Sequence, residues 1–166
     1  MKIFIRLILL VIAAAVAFWL WTIFFPSPEK IVRSRLTSLA RDVSFSPGEN
    51  NLTKIAHVQA VAGFFATNVE VNLAVPEHEQ QSLMGRDEIN QAVLISRQQL
   101  SSLSVKFPDM NIAVAPDKNS ATADVTVDAN VSGENNAVFQ EVKFTFARAD
   151  GQWLIDKVET VRVVAP

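Results

Sequence analysis

The side chains best suited to moving a proton are His57, set between Ala56 and Val58 in a helical stretch, and Glu70, set between Val69 and Val71 in an alternating one. An imidazole or carboxylate of this kind can abstract a proton in a water-poor pocket, given another polar group within about 3 Å of the substrate. Each also has a plainer reading. His57 lies off the strongest apolar stripe of its helix and suits a boundary position; Glu70 suits the wet face of a strand. The other histidine, His78, is flanked by Glu77 and Glu79, which invites a metal. Consecutive side chains point apart, however, and no further histidine follows at helical spacing, so no metal site is expected.

Asp124 and Asp128 resemble paired carboxylates, but they share a strand face with Thr122, Thr126 and Asn130, and Glu141 and Lys143 belong to the same face of the neighbouring run. Cross-strand charge pairing accounts for them. Asp87 and Glu88 stand where a helix begins, and its dipole favours acids there. There is no glycine-rich phosphate loop, the Asn-x-Ser/Thr triplets at Asn51 and Asn130 are at chance level, and no cofactor is expected. What remains is apolar. The small residues Ala121, Ala123 and Ala129 on a buried strand face either let a helix come close or leave space for a ligand. The expected pocket lining is Phe65, Val93, Ala121, Ala123, Phe144 and Trp153, with Trp153 equally suited to a core or a dimer seam.

Three helices and a set of strands must position these residues. From Pro28 to Val43, Val32, Leu36, Leu39, Ala40 and Val43 recur at spacings of three and four, one face of a helix opened by Pro28 and Glu29. Its other face carries Lys30, Arg33 and Arg41, a solvated face or one that meets anionic headgroups. After the turn Ser46 to Asn51, Asn50 or Asn51 caps a second helix through Leu52, Ile55, Ala56, Val58, Val61, Ala62 and Phe65. Asn68 to Leu73 alternates as a half-buried strand, Pro76 to Ser82 is a polar loop, and a third helix runs from about Arg86 to Leu100. Strands follow over Ser104–Ala115, Ala121–Val131, a run holding Val142, Phe144 and Phe146, and Trp153–Val164. The first of these changes phase at Pro108-Asp109, which predicts a bulge or a bend. Helices first and an antiparallel meander afterwards is an α+β plan.

Ahead of this domain, Leu7 to Phe25 is apolar except for Thr22, and no charge occurs between Arg6 and Glu29. As a helix it would be about 28 Å long, enough for a bilayer core of about 30 Å. A cleaved secretory signal is the competing reading, with Ala13, Ala15 and Ala17 as small residues. Cleavage would leave a greasy terminus at Phe18, whereas Trp19, Trp21, Phe24 and Phe25 before Pro26 and Pro28 read as an interfacial belt closing a span. The expected organisation is therefore a membrane anchor over 1–25 and a domain over 26–166. Basic residues flank both sides: Lys2 and Arg6 against Lys30, Arg33, Arg35 and Arg41. Their count would hold the domain inside. The six-residue leading tail is the usual signal-anchor arrangement, and the expected location is single-pass in the cytoplasmic membrane with the domain on the periplasmic side.

With 15 basic and 17 acidic residues, a formal charge of -2 and a sequence pI near 5.7, the chain lacks the basic excess of a nucleic-acid binder. A mean hydropathy of +0.22 fits one greasy segment averaged into an ordinary domain.

Two strings narrow the α+β plan. Gly85-Arg86-Asp87-Glu88-Ile89 at the start of the third helix, and Asp150-Gly151-Gln152-Trp153-Leu154-Ile155 turning into the last strand, resemble the nuclear transport factor 2 superfamily, including its SnoaL-like branch. The element order from Pro28 to Val164 is similar too. The resemblance implies a cone-shaped domain in which a curved, mainly antiparallel sheet wraps three helices around a pocket, with dimerisation through the sheet in many members. It also implies isomerase, dehydratase or cyclase chemistry on apolar small molecules in some members and non-catalytic roles in transport and envelope assembly in others, so function rests on the residues. The ketosteroid-isomerase type of site needs a tyrosine, and this chain has none. In the cyclase and dehydratase type, His57, Glu70 and His78 would be the actors. The expectation is a membrane-anchored, non-catalytic domain that binds an envelope protein or an apolar small molecule, with the enzyme as the alternative.

Overall fold

A computed structural model describes residues 11–12, 14–16, 26–74, 81–132 and 138–164. The predicted span Leu7–Phe25 lies mostly outside these residues. Among the described residues, no helix is long and apolar enough to cross a membrane. The turn at Gly133–Asn136 and the Glu77-His78-Glu79 string also lie outside them.

The domain is α+β. Three helices, α1 (Pro28–Val43), α2 (Asn51–Ala62) and α3 (Gly85–Gln99), accompany a curved six-stranded mixed sheet. Its strands are β1 (Phe65–Leu73), β2 (Gln81–Met84), β3 (Leu103–Val114), β4 (Ser120–Val131), β5 (Val138–Ala149) and β6 (Gln152–Val164). Their spatial order is β2-β1-β6-β5-β4-β3. The meander β3 to β6 is antiparallel as expected, but β1 runs parallel to β6, its neighbour from the far end of the chain.

Local chemistry explains the helix starts. The Ser27 hydroxyl accepts from Lys30 N–H (3.4 Å) ahead of Pro28, and the Asn50 side chain accepts from Thr53 N–H (2.8 Å). Two boundaries differ from the sequence reading. The second helix stops at Ala62 because Gly63 caps it, and Phe65 opens β1 instead of ending the helix. Ile155 N–H donates to Phe64 O (2.8 Å) at this point, so pairing with β6 outweighs continuing the apolar helical spacing. The second difference is β2, whose first two residues the sequence reading puts in the loop Pro76–Ser82 and whose last two it assigns to no element; four residues are too few to show a period, yet they pair antiparallel with β1.

The bulge expected at Pro108-Asp109 is present: register with β4 shifts between Lys106 and Asp109, and both strand halves turn their apolar residues inward. A matching shift between Thr145 and Phe146 re-phases β6, so that Trp153 and Ile155 are buried before it and Val158 after it. All three helices cover this inner face. Val32, Leu36 and Leu39 of α1, Val61 of α2 and Ile89 of α3 join Val69, Val125, Phe146, Trp153 and Ile155 in one core. Each such side chain contributes roughly 1.5–3 kcal/mol by leaving water.

Candidate functional site

The core does not fill the whole inner face. Between α3, the C-terminal half of α1 and the strands lies an apolar cavity of about 410 Å³, open to solvent on part of its boundary. Its wall includes Phe65, Val93, Phe107, Val127, Ala129 and Phe144, and the sole polar side chain in it among the described residues is Gln140. A sealed void of this size would cost on the order of 10 kcal/mol at ~24 cal/mol per Å³, comparable with the stability of an entire domain. An open, apolar space in the small-molecule range is the form in which such a volume persists.

The Gly85 string builds part of this wall. Gly85 sits at φ +82°, which strains any other residue, and a Cβ there would also crowd Thr67 O at 3.3 Å. Arg86 then donates from Nε (3.2 Å) and Nη2 (2.6 Å) to Phe65 O, where the β1–β6 register is interrupted. Glu88 accepts from Met84 N–H (2.7 Å), a helix-start role for that carboxylate. The string thus fixes Phe65 and Ile89 against the cavity. At the other end of the sheet, Asp150 (φ 51°) and Gly151 (φ 77°) make the tight turn that sends Trp153 and Ile155 into the solid core.

Of the six expected lining residues, Phe65, Val93 and Phe144 border the cavity. Ala121, Ala123 and Trp153 do not: they are fully buried in the packed half of the domain, where α1 closes over the sheet. The arginines of α1 have partners of their own. Arg33 pairs with Glu29 (3.3 Å) and reaches Met110 O, and Arg41 pairs with Asp42 (3.2 Å). Lys30 borders a shallow surface groove with Ile31, Arg35 and Trp153. Arg35 donates to Gly63 O (3.0 Å) and stacks over Phe64, and burial lowers its pKa from the ordinary guanidinium value.

Neither proton-transfer candidate reaches the cavity. Glu70 is exposed on β1. His57 belongs to a separate charged knot, with Nδ1 3.6 Å from Asp42 Oδ1 and Nε2 3.6 Å from Glu49 Oε1. Arg97, buried on α3, holds both carboxylate-bearing segments: Nη1 donates to Glu49 Oε2 (2.5 Å) and Nη2 to Asp42 O (2.6 Å), with its guanidinium over Phe45. This arrangement pins the α1–α2 turn to the end of α3. Asp42, Glu49 and Arg97 gave no signal in the sequence, because their partners are about fifty residues apart. On the outer face, Asp124 lies opposite Lys143, and Asp128 opposite Lys106, the cross-strand pairing that the alternation predicts.

No family model matches the sequence, and no curated protein matches it. Solved structures do match the fold. A nuclear transport factor 2-like protein of unknown function from Pseudomonas putida superposes with a TM-score of 0.62 at 11% identity, covering 80% of this chain and 84% of that one. A proposed scytalone dehydratase from Novosphingobium aromaticivorans gives 0.59 at 17% identity, covering 82% and 83%. The yeast Ubp3-associated protein Bre5 gives 0.63 at 13% identity, covering 86% and 100%. The fold is thus the nuclear transport factor 2-like fold, which other matched structures name cystatin-like. Identities this low speak to fold alone.

Proposed function

We propose that this domain binds an apolar small molecule in the cavity between α3 and the sheet and does not transform it. The observation that carries this reading is the composition of the wall: a ligand-sized space whose described lining is hydrocarbon apart from one neutral amide. Proton transfer needs an acid or base within hydrogen-bond reach of the substrate. His57 is engaged by Asp42 and Glu49 elsewhere, and Glu70 is exposed. The enzymatic alternative takes its support from a fold neighbour described as a dehydratase, and it requires groups other than those of the described wall.

The test is titration of the full chain with N-phenyl-1-naphthylamine, an uncharged probe that brightens in apolar surroundings. Saturable one-to-one binding is expected, and Ala129→Phe, which projects a ring into the cavity, should weaken it at least tenfold. Equal binding by both proteins, measured in the same medium so that partition cancels, would discard the proposal.

We also propose that the domain works at a membrane, held by Leu7–Phe25. Support comes from the uncharged run itself and from the described residues Val11, Ile12 and Val16, which are helical and expose apolar side chains. The full chain should stay in the membrane fraction through alkaline carbonate washing. A cysteine introduced at Asn136 should react with an impermeant thiol reagent in cells whose inner membrane is intact. Release by carbonate would remove the anchor, and labelling only after that membrane is breached would reverse the orientation.

A further inference from the structure

Gln140 is the residue of the cavity wall that apolar packing does not explain. It lies on β5 in phase with Val138, Val142 and Phe144, the inward-facing set, where a hydrocarbon side chain would be the ordinary choice. Its orientation is fixed. Nε2 donates to Ala74 O (2.9 Å), just beyond β1, and Ala74 N–H in turn donates to Thr160 Oγ1 (3.1 Å). A carbonyl oxygen can only accept, so the amide nitrogen must be the atom facing Ala74. That leaves Oε1 without a donor among the described residues, together with the second Nε2 hydrogen.

The amide is half-buried on the wall of an open, otherwise apolar cavity, so a molecule that fills the cavity and displaces its water must itself supply the missing partner. No charged side chain lines the described wall, so a carboxylate or ammonium entering the cavity would be desolvated without compensation. We infer that Gln140 selects the ligand: an uncharged molecule with an apolar body and one hydroxyl, the hydroxyl donating to Oε1 and accepting from the free Nε2 hydrogen. This inference rests on the binding reading above and gives it a ligand class.

Three ten-carbon competitors separate the cases when each displaces N-phenyl-1-naphthylamine from the full chain. They are 1-decanol, its isomer methyl nonyl ether, which accepts but cannot donate, and decanoate, which is anionic. One net hydrogen bond is worth roughly two- to twelvefold in affinity, so the alcohol should bind about fivefold more tightly than the ether, and decanoate more weakly than either. In Gln140→Leu and Gln140→Met the alcohol-to-ether ratio should fall to about one while the probe still binds. If wild-type protein binds the probe but does not prefer alcohol to ether, the role of Gln140 is wrong and the cavity reading stands. A retained preference in both variants has the same meaning. If the probe does not bind at all, both fall together.

Discussion

One sheet face produces two unlike regions. On β4, Ala121, Ala123, Val125, Val127 and Ala129 point the same way at alternate positions, and on β5 so do Phe146, Phe144, Val142, Gln140 and Val138. At one end the result is solid: Ala121 pairs across the sheet with Phe146 and Ala123 with Phe144, α1 supplies Val32 and Leu36, and both alanines are at most 2% exposed. At the other end Ala129 pairs with Val138, the covering helix is α3, and a cavity remains. Alanine occurs in both regions, so small size alone does not mark a pocket. The deciding factor is what stands opposite: aromatic rings and the α1 side chains Val32 and Leu36 consume the space at Ala121 and Ala123, whereas Val138 opposite Ala129 leaves it open beneath α3.

The sharpest way to break this comparison is to place the same ring at both ends. Ala123→Phe meets a filled core and should destabilise the chain by about 1–3 kcal/mol or more, through forced rotamers and backbone shifts. Ala129→Phe should change stability by less than about 1 kcal/mol, because the ring enters existing space and buries apolar area. Urea midpoints of the two full-length variants against wild type measure the difference. Equal losses would mean that the hollow region is as tightly packed as the solid one. The two substitutions should also exchange their effects on the probe: Ala129→Phe loses binding, and Ala123→Phe, where folded, keeps it.

The same contrast shows what could be read in the chain beforehand. Helix starts, the strand alternation and the bulge at Pro108-Asp109 depend on neighbours within a few residues, and they were legible. The α+β plan followed from their order. The parallel partnership of β1 with β6 was not legible, because it joins residues about ninety apart, and β2 was too short to carry a period. For the site, Phe65, Val93 and Phe144 were recognisable as inward-facing apolar residues. The separation of Ala129 from Ala121 and Ala123 depends on which helix lies above each, a tertiary fact. Gln140 was missed although its inward direction follows from alternation with Val142 and Phe144, because its place in a polar-looking run beside Glu141 hid it. His57 drew attention as chemistry, and its position is explained by Asp42, Glu49 and Arg97, whose convergence no local spacing announces.

The outer face of the sheet extends the comparison to its smallest expected effect. There Lys157 Nζ and Glu159 Oε2 are 2.7 Å apart in a pair that remains about 40% exposed. The hydrogen bond between them raises the Lys157 pKa above its ordinary value and lowers that of Glu159, with their mutual charge attraction adding to both. A raised lysine contributes stability below its unfolded value of 10.5 and loses it as pH climbs through the folded value. A lowered glutamate contributes above its unfolded value of 4.5 and loses it as pH falls through the folded value. The pair therefore acts across the neutral range and fades at both extremes. Water and salt screen such a contact heavily, so Glu159→Gln should leave the thermal midpoint at pH 7 within measurement error. A loss at pH 7 as large as that from Ala123→Phe, disappearing near pH 3, would show that this wet face holds the sheet together as firmly as the packed one does.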